Sequence, residues 1–374
     1  MRILLVGNYP PDAQESMLRY AQLMHAGLID AGHDAHLVAP LPALNRTGLP
    51  PRGIWKWLGY VDKYGISVPV LRRAARQADI VHICDHSNAV YAALQPDVPH
   101  VVTCHDLLAV RGAMGDDTDC PATFTGKLLQ RGILRGLSKA NAIACVSSAT
   151  LGDLNRLIPD YAGESLLVPN ALNYPYQVLD PEVAARRLST IPDLNIQRPF
   201  LLNVGSNLRR KNREAVLQSV AAAAPAWDGQ VVFAGQPLTP ELHELANSLR
   251  IADRLVEVGK PSCEVLEALY NAAAALHFPS RFEGFGWPVL EAQACGCPVI
   301  CGDREPLPEV SGGAALMCDP DDINGLAAAI LELTGQPSLH DDLRRRGLEN
   351  AARFGREAMV ERFVSLYRRL APTA

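Results

Sequence analysis

The sequence is poor in several features that would each announce a function. Its nine cysteines are odd in number and include no CxxC pair. Cys295 and Cys297 stand one residue apart, and histidines at zinc-finger spacing are missing, which excludes a disulfide-stapled or zinc-ribbon scaffold and points to structural thiols in a reducing compartment. No run approaches the roughly 20 apolar residues that span a bilayer. Positive charge is not in excess either: 35 basic residues face 40 acidic ones, a net charge of −5, divided 15 against 16 up to residue 180 and 20 against 24 beyond it. Neither half is a basic module, so a general electrostatic grip on nucleic acid is excluded and any anionic ligand must be held by a local cluster. The opening MRILLVGNYPP reads as a strand and a Pro-Pro turn, too short for a signal peptide, so a cytoplasmic protein is expected. There is no internal repeat.

What is present is enough apolar residue for two cores: 374 residues, 48% hydrophobic and 20% charged. Apolar runs of four to six residues alternate with longer segments of helical period, the pattern of a parallel sheet covered by helices on both faces. Strands are expected at Ile3–Val6, Ala35–Val38, Ile80–Ile83, His100–Thr103, Ala142–Val146 and Leu166–Val168. A second set is expected at Phe200–Val204, Val231–Ala234, Leu255–Val258, Ala274–Phe278, Val299–Cys301 and Ala315–Met317. Two doubly wound α/β domains follow, with ligands beyond the carboxyl ends of their strands. The expected division is 1–174 and 175–354, with a C-terminal helix near 355–374 returning to the first domain. Asn173–Pro199, with a short helix at Pro181–Leu188, reads as the linker, and Ser338–Leu370 as one or two amphipathic helices.

Two constellations carry chemistry. Pro279-Ser-Arg-Phe-Glu-Gly-Phe-Gly-Trp-Pro-Val-Leu-Glu-Ala292 follows a strand, passes Gly284 and Gly286, and places Pro288 at the expected first position of a helix. A helix N-terminus beside strand ends is an anion site, and Glu283 and Glu291 bracket it with acceptors suited to sugar or ribose hydroxyls. Two other readings stand beside this one: surface carboxylates on an ordinary turn, or the acid and nucleophile of a glycosidase, which the carboxyl separation would test. The second constellation, Val204-Gly-Ser-Asn-Leu-Arg-Arg-Lys-Asn212, puts three consecutive cations after a strand, suited to a diphosphate or to a solvated face.

PSRFEGFGWPVLEAQACGCPVI, with Glu283 and Glu291 separated by seven residues, resembles the E-x7-E signature of glycosyltransferase family 4, the retaining enzymes of GT-B fold. VGSNLRRKN, VGKPSCEVLEALYNAAAALHF and LPEVSGGAALMCDPDD match that family in the same order, and MRILLVGNYPP, TCHDLLAV, CVSSAT and VPNAL match it more loosely. The resemblance implies two Rossmann-like domains facing a cleft, a nucleotide-sugar donor on the second and a hydroxyl acceptor on the first. It implies that Glu283 contacts donor-sugar hydroxyls and that the backbone of Gly284, Phe285 and Gly286 lies against sugar and diphosphate. Glu291 would hold ribose hydroxyls. Lys211 and Arg210, with Gly205 and Ser206 in the same turn, would neutralise the leaving diphosphate, and His105 of TCHD would face the donor sugar. His105 reads otherwise as a satisfied cleft histidine. No metal or other cofactor is implied, and no DxD-type site is evident in either cluster.

The sequence also departs from the family. Where many members carry a Gly-Gly turn after the first strand, this chain has polar side chains, which makes Asp12, Gln14, Glu15 and Ser16 candidate acceptor contacts. Ser206 stands where some members have arginine. Asp85 and His86, after the third strand, are candidates for the acceptor side or a structural pair. The stretch from Arg52 to Tyr64, continuing to Arg72, Arg73 and Arg76, mixes aromatics and cations. It suits peripheral contact with an anionic membrane face, and so a lipid-linked acceptor, or else a domain-packing helix with snorkelling cations. GDP-mannose or a UDP-sugar is the expected donor. A sugar-nucleotide epimerase and a non-catalytic sugar-nucleotide binder are the alternatives.

Overall fold

Short runs that are apolar on both sides cannot alternate between core and water, so they become central strands of parallel sheets with helices on each face. The computed structural model describes residues 1–45, 53–94 and 97–372. The first six strands are β1 (Arg2–Val6), β2 (Asp34–Val38), β3 (Ile80–Ile83), β4 (His100–Cys104), β5 (Ala142–Cys145) and β6 (Glu164–Leu167). The next six are β7 (Phe200–Gly205), β8 (Gln230–Gly235), β9 (Leu255–Gly259), β10 (Ala275–Phe278), β11 (Val299–Gly302) and β12 (Leu316–Cys318). Every expected strand is present, displaced by at most two residues at an end.

Fifteen α-helices intervene among the described residues. They are α1 (Glu15–Asp30), α2 (Ile54–Val61), α3 (Ser67–Ala75), α4 (Leu108–Met114), α5 (Phe124–Leu137), α6 (Ser148–Leu157), α7 (Pro181–Leu188) and α8 (Arg213–Ala223). Then follow α9 (Pro240–Ser248), α10 (Cys263–Ala272), α11 (Trp287–Ala294), α12 (Leu307–Ser311), α13 (Ile323–Gly335), α14 (Pro337–Ala351) and α15 (Arg356–Leu370). Their starts are set locally where a short polar side chain accepts from the first turn, as Ser147 does for α6, Asp180 for α7 and Ser262 for α10.

The chain divides into two units, Met1–Asn173 with Gly355–Ala374, and Tyr174–Phe354. In the first, all strands are parallel in the order β2-β1-β3-β4-β5-β6, so the winding direction reverses between β1 and β3. In the second the order is β12-β11-β10-β7-β8-β9, again all parallel, and the reversal lies between β7 and β10. At such a reversal the loops leave the sheet in opposite directions and open a crevice at the carboxyl ends. Two apolar cores sit under these sheets, one around Val6, Ile83, Val102 and Leu154, the other around Leu201, Val231, Phe233 and Ile330.

One expectation needs correction. Asn173–Pro199 is not a free linker, because most of it is bound to the second unit: Gln177 N–H donates to Glu267 at 3.0 Å, Leu179 N–H donates to Asn271 at 2.7 Å, and Arg187 pairs with Glu267 at 2.6 Å. The C-terminal helix expected near 355–374 does belong to the first unit, and the helix before it belongs to the second. Helix α14 packs on α11 and α13, while α15 joins the first unit against α1. There, His82 Nδ1 and Tyr367 Oη are 2.5 Å apart, and His82 Nε2 and Thr103 Oγ1 are 2.7 Å apart. This buried polar chain fixes α15 on the sheet, since each group would otherwise be desolvated without a partner.

Candidate active site

The second unit's site is built on the two loops at its sheet reversal. After β7 the chain makes a short 3-10 turn at Arg209–Lys211, and after β10 it runs through Pro279–Gly286 into α11. Arg281 N–H donates to the Arg210 carbonyl at 2.8 Å, so the two loops are held together by backbone. Lys211 Nζ donates to Glu283 Oε1 at 2.6 Å, and Arg210 donates to Glu283 Oε2 at 3.1 Å and to the Phe282 carbonyl at 2.7 Å. Of the three expected cations only these two turn inward; Arg209 stays exposed. Lys211 also lies 5.0 Å from the centroid of the Phe278 ring. Burial opposes ionisation of both partners. In Glu283 the charges of Lys211 and Arg210 outweigh that effect and hold the carboxyl below its usual range. In Lys211 burial, helped by Arg210, outweighs Glu283 and lowers the ammonium's pKa.

A residue not anticipated from the sequence organises this crevice. Arg213, at the first position of α8, is buried; its guanidinium donates to the Gly205 carbonyl at 2.8 Å, the Gln236 carbonyl at 2.8 Å and Asn207 Oδ1 at 2.6 Å. It also lies over the Phe233 ring at 5.4 Å. Burial lowers its pKa to about 10, so it stays cationic at neutral pH. The fork thus ties the ends of β7 and β8, including Gly205 beside the partly buried Ser206. The one sequence signal was an arginine two residues past the cation run, in what reads as a solvated helix start.

Gly286 is the N-cap of α11 with φ 102°, and a Cβ there would meet Leu307 at 2.6 Å, so only glycine fits without a shift. The helix starts at Trp287, one residue earlier than expected, with Pro288 second. Phe285 is buried, with Trp287 and Phe354 edge-on at 6.1 and 5.9 Å, and Gly284 is partly buried in the same turn. Glu291 is engaged apart from the Lys211–Glu283 cluster: it is buried in α11 and accepts from Tyr270 Oη at 2.8 Å. Tyr270 in turn meets the Tyr176 ring edge-on at 5.9 Å.

The first unit gathers its candidates at the reversal between β1 and β3. Asn8, just past β1, donates to Asp85 at 2.5 Å and to Gln14, and accepts from Asn88 at 3.2 Å. Asp85 also accepts from Ser87 Oγ at 2.6 Å and pairs with His86 Nδ1 at 3.0 Å. Burial would raise the Asp85 pKa, but His86, His105 and Ser87 pull it well below the carboxylate range. The two histidines are driven apart. Burial holds His105 below 6.5, and its Nε2–H donates to the Cys84 carbonyl at 2.9 Å, while Asp85 overcomes burial and raises His86 above 6.5. The same pocket thus shifts two imidazoles in opposite directions, His105 toward its neutral form and His86 toward its cationic form.

Asp12 is occupied by Lys63 at 2.8 Å, while Glu15 and Ser16 are exposed in the first turn of α1. Lys63 lies among the rings of Tyr9, Tyr60 and Tyr64 at 5.1 to 5.9 Å. Arg52 lies outside the described residues. Among the described residues no group of three or more His, Cys, Asp or Glu side chains is placed to hold a metal, and no helix is long and apolar enough to cross a membrane.

Known proteins share both the sequence and the architecture. The model for Glycosyl transferases group 1 matches residues 187–352, and that for Glycosyltransferase Family 4 matches residues 17–173. Over 107 residues, 29% of this chain, the sequence is 40% identical to O-antigen chain mannosyltransferase B of Escherichia coli; the aligned stretch is only 28% of that protein's own length. It is 28% identical over 333 residues to alpha-maltose-1-phosphate synthase of Mycobacterium tuberculosis, covering 80% of this chain and 81% of that one. The solved structure of Anabaena HepE in complex with UDP and glucose has the same fold, with a TM-score of 0.77 at 16% identity over 99% of this chain and 100% of the other. With one family model on each part of the chain and this fold common to both, the chain belongs to the group 1 glycosyltransferases of family 4 type, which have the GT-B fold.

Proposed function

We propose that the chain transfers a glycosyl group from a nucleoside-diphosphate sugar to a hydroxyl acceptor with retention of anomeric configuration. The observation that carries this reading is the pair Arg210 and Lys211 closed on Glu283 at the reversal of the second sheet. Two cations against one carboxylate leave a net positive charge in a largely buried crevice, and the N-terminal end of α11 adds its dipole. A diphosphate entering there takes over the cations, which releases Glu283 to accept hydrogen bonds from sugar hydroxyls. Glu291, already oriented by Tyr270, is the acceptor for ribose hydroxyls.

In the transfer, the bond from the anomeric carbon to the diphosphate oxygen breaks and the bond to the acceptor oxygen forms on the same face. The acceptor's proton passes to the departing diphosphate, whose developing charge Arg210, Lys211 and the helix start stabilise. In this reading the two side-chain cations neutralise the leaving group and no metal is required. His105, His86, Asp85 and the residues Asp12, Gln14, Glu15 and Ser16 form the acceptor side. The acceptor is a glycan, lipid-linked or small-molecule hydroxyl compound, met at the cytoplasmic face of a membrane.

GDP-mannose is the first choice of donor, supported by the VGSNLRRKN turn and the similarity to an O-antigen mannosyltransferase. A UDP-sugar is the second, supported by the nucleotide in the HepE complex. The epimerase and the non-catalytic binder are not favoured, because the relatives are named as transferases and synthases. A thermal-shift series with GDP-mannose, UDP-glucose and UDP-N-acetylglucosamine, each with and without EDTA, tests the reading. The donor raises the melting temperature by mass action, EDTA leaves the shift unchanged, and no shift with any of the three overturns the reading. Conversion of UDP-N-acetylglucosamine without acceptor would favour the epimerase instead.

A further inference from the structure

Helices α2 and α3 are joined by a π-helical turn, Asp62–Ile66, into one continuous helical run. Its inner side is clasped by the loop after β1. Tyr9 Oη donates to Asp62 at 2.6 Å, Lys63 pairs with Asp12 at 2.8 Å, and Tyr91 Oη donates to the Lys63 carbonyl at 2.9 Å. A surface helix so anchored should turn polar residues outward. This one turns out Ile54 (68% exposed), Trp57 (58%), Val61, Ile66 and Val70. The spacing from 54 to 57 and 61, then across the wider π turn to 66 and 70, keeps them on one stripe.

Helix α5 repeats the inversion. Its first turns expose Phe124 (83%) and Leu128, and both α5 and α3 pack on the same 3-10 stretch, His86–Leu94. Exposed apolar residues at this density mark a contact surface, and the charges around them say with what. Lys56, Arg72, Arg73 and Arg76 are exposed on or beside the first run, and Lys127, Arg131 and Arg135 on α5. The only acid from residue 53 to 77 is Asp62, which is buried, and α5 contains none.

From these observations we infer that the face made by α2, α3 and α5 docks on an anionic lipid bilayer, apolar side chains entering the headgroup layer and cations meeting lipid phosphates. The inference deepens the reading of a lipid-linked acceptor in the proposed function, on which its purpose rests. The same helical run that presents Trp57 outward holds Asp12 and Tyr9 inward, so the acceptor-side loop is fixed relative to the bilayer.

The test is flotation of the full chain, without donor or acceptor, on vesicles of phosphatidylcholine alone or with about 30% phosphatidylglycerol. The anionic vesicles are expected to bind the protein at about 0.1 M salt and to release most of it at about 0.5 M. Ile54→Asn with Trp57→Ser, and separately Phe124→Ser with Leu128→Ser, are each expected to weaken binding about tenfold or more, and Arg72→Glu with Arg73→Glu to remove the preference for anionic lipid. In all three variants the melting-temperature shift caused by nucleotide sugar is expected to match wild type, which reports folding and donor binding independently. No binding to anionic vesicles, or equal binding to neutral ones, overturns the inference. So does a solution dimer by light scattering that Trp57→Ser dissociates, since that assigns the face to a second copy of the chain. A nucleotide sugar that fails to shift the wild type refutes the transfer reading and leaves the lipid result intact.

Discussion

Lys211 and Glu283, 72 residues apart in sequence, meet at 2.6 Å in the second unit with Arg210 on the other oxygen of the same carboxylate. The pair joins the loop after β7 to the loop after β10, so each side chain both shapes the crevice and is stored by the other until an anion arrives. Lys211→Ala and Glu283→Ala are each expected to lower glycosyl transfer about 100-fold or more, the scale on which a transition-state charge partner acts. Circular dichroism checks that the variants remain folded, and wild-type turnover in either removes the site assignment.

Arg213 is expected to matter for stability before it matters for binding. Arg213→Met leaves the Gly205 and Gln236 carbonyls without their charged donor in a buried place, a loss on the order of 3 kcal/mol. Arg213→Lys keeps the charge but not the fork and should recover only part of it. Urea midpoints order the three proteins. A midpoint for Arg213→Met equal to wild type contradicts the role given to this residue.

Gly286→Ala places a Cβ at φ 102° against Leu307. Strain of this kind costs about 1–3 kcal/mol and shifts the first turn of α11, so both melting temperature and nucleotide-sugar affinity should fall. Adding Leu307→Ala relieves the clash and not the backbone strain, and is expected to restore part of the affinity. Affinity unchanged in Gly286→Ala separates this turn from the binding site.

The Asp85–His86 pair predicts a pH signature in the first unit. The His86 pKa is raised in the fold above 6.5, so its contribution is full below that value and is lost as pH rises through the folded pKa. The Asp85 pKa is depressed below 3.8, so its contribution is present above that value and is lost as pH falls. Asp106 also favours the charged His86, and the charge on His86 in turn helps to hold the His105 pKa down. Denaturation midpoints of wild type and His86→Gln should therefore differ most between about pH 4 and 6.5, and converge toward alkaline pH. A difference that does not vary with pH contradicts a charged His86.

The periodicity of the chain was enough for the twelve strands, for α7 at Pro181–Leu188 and for two loops at carboxyl ends of strands, because those signals are local: one turn or one strand of side chains decides them. The family motif around Glu283 and Glu291 was legible for the same reason, as a glycine-spaced loop entering a helix. Partnerships were not legible. Nothing local marks Arg213 for burial, which follows only once β7 and β8 lie side by side and leave their terminal carbonyls in need of a donor. Tyr270 reaches Glu291 across 21 residues, and Asp62 reaches Tyr9 across 53.

Composition and pattern by themselves determined the class of fold, the two sheets and the loops that leave the carboxyl ends of their strands. Tertiary structure alone decided which cations turn inward, in which direction the pKa of each of two neighbouring histidines moves, that the segment after Asn173 is bound to α10, and that the apolar stripe from Ile54 to Val70 faces out. Local sequence sets backbone conformation through short-range sterics and period. Ion pairing, burial and pKa depend on what distant segments bring within a few ångströms, and in a doubly wound sheet that is set by strand order.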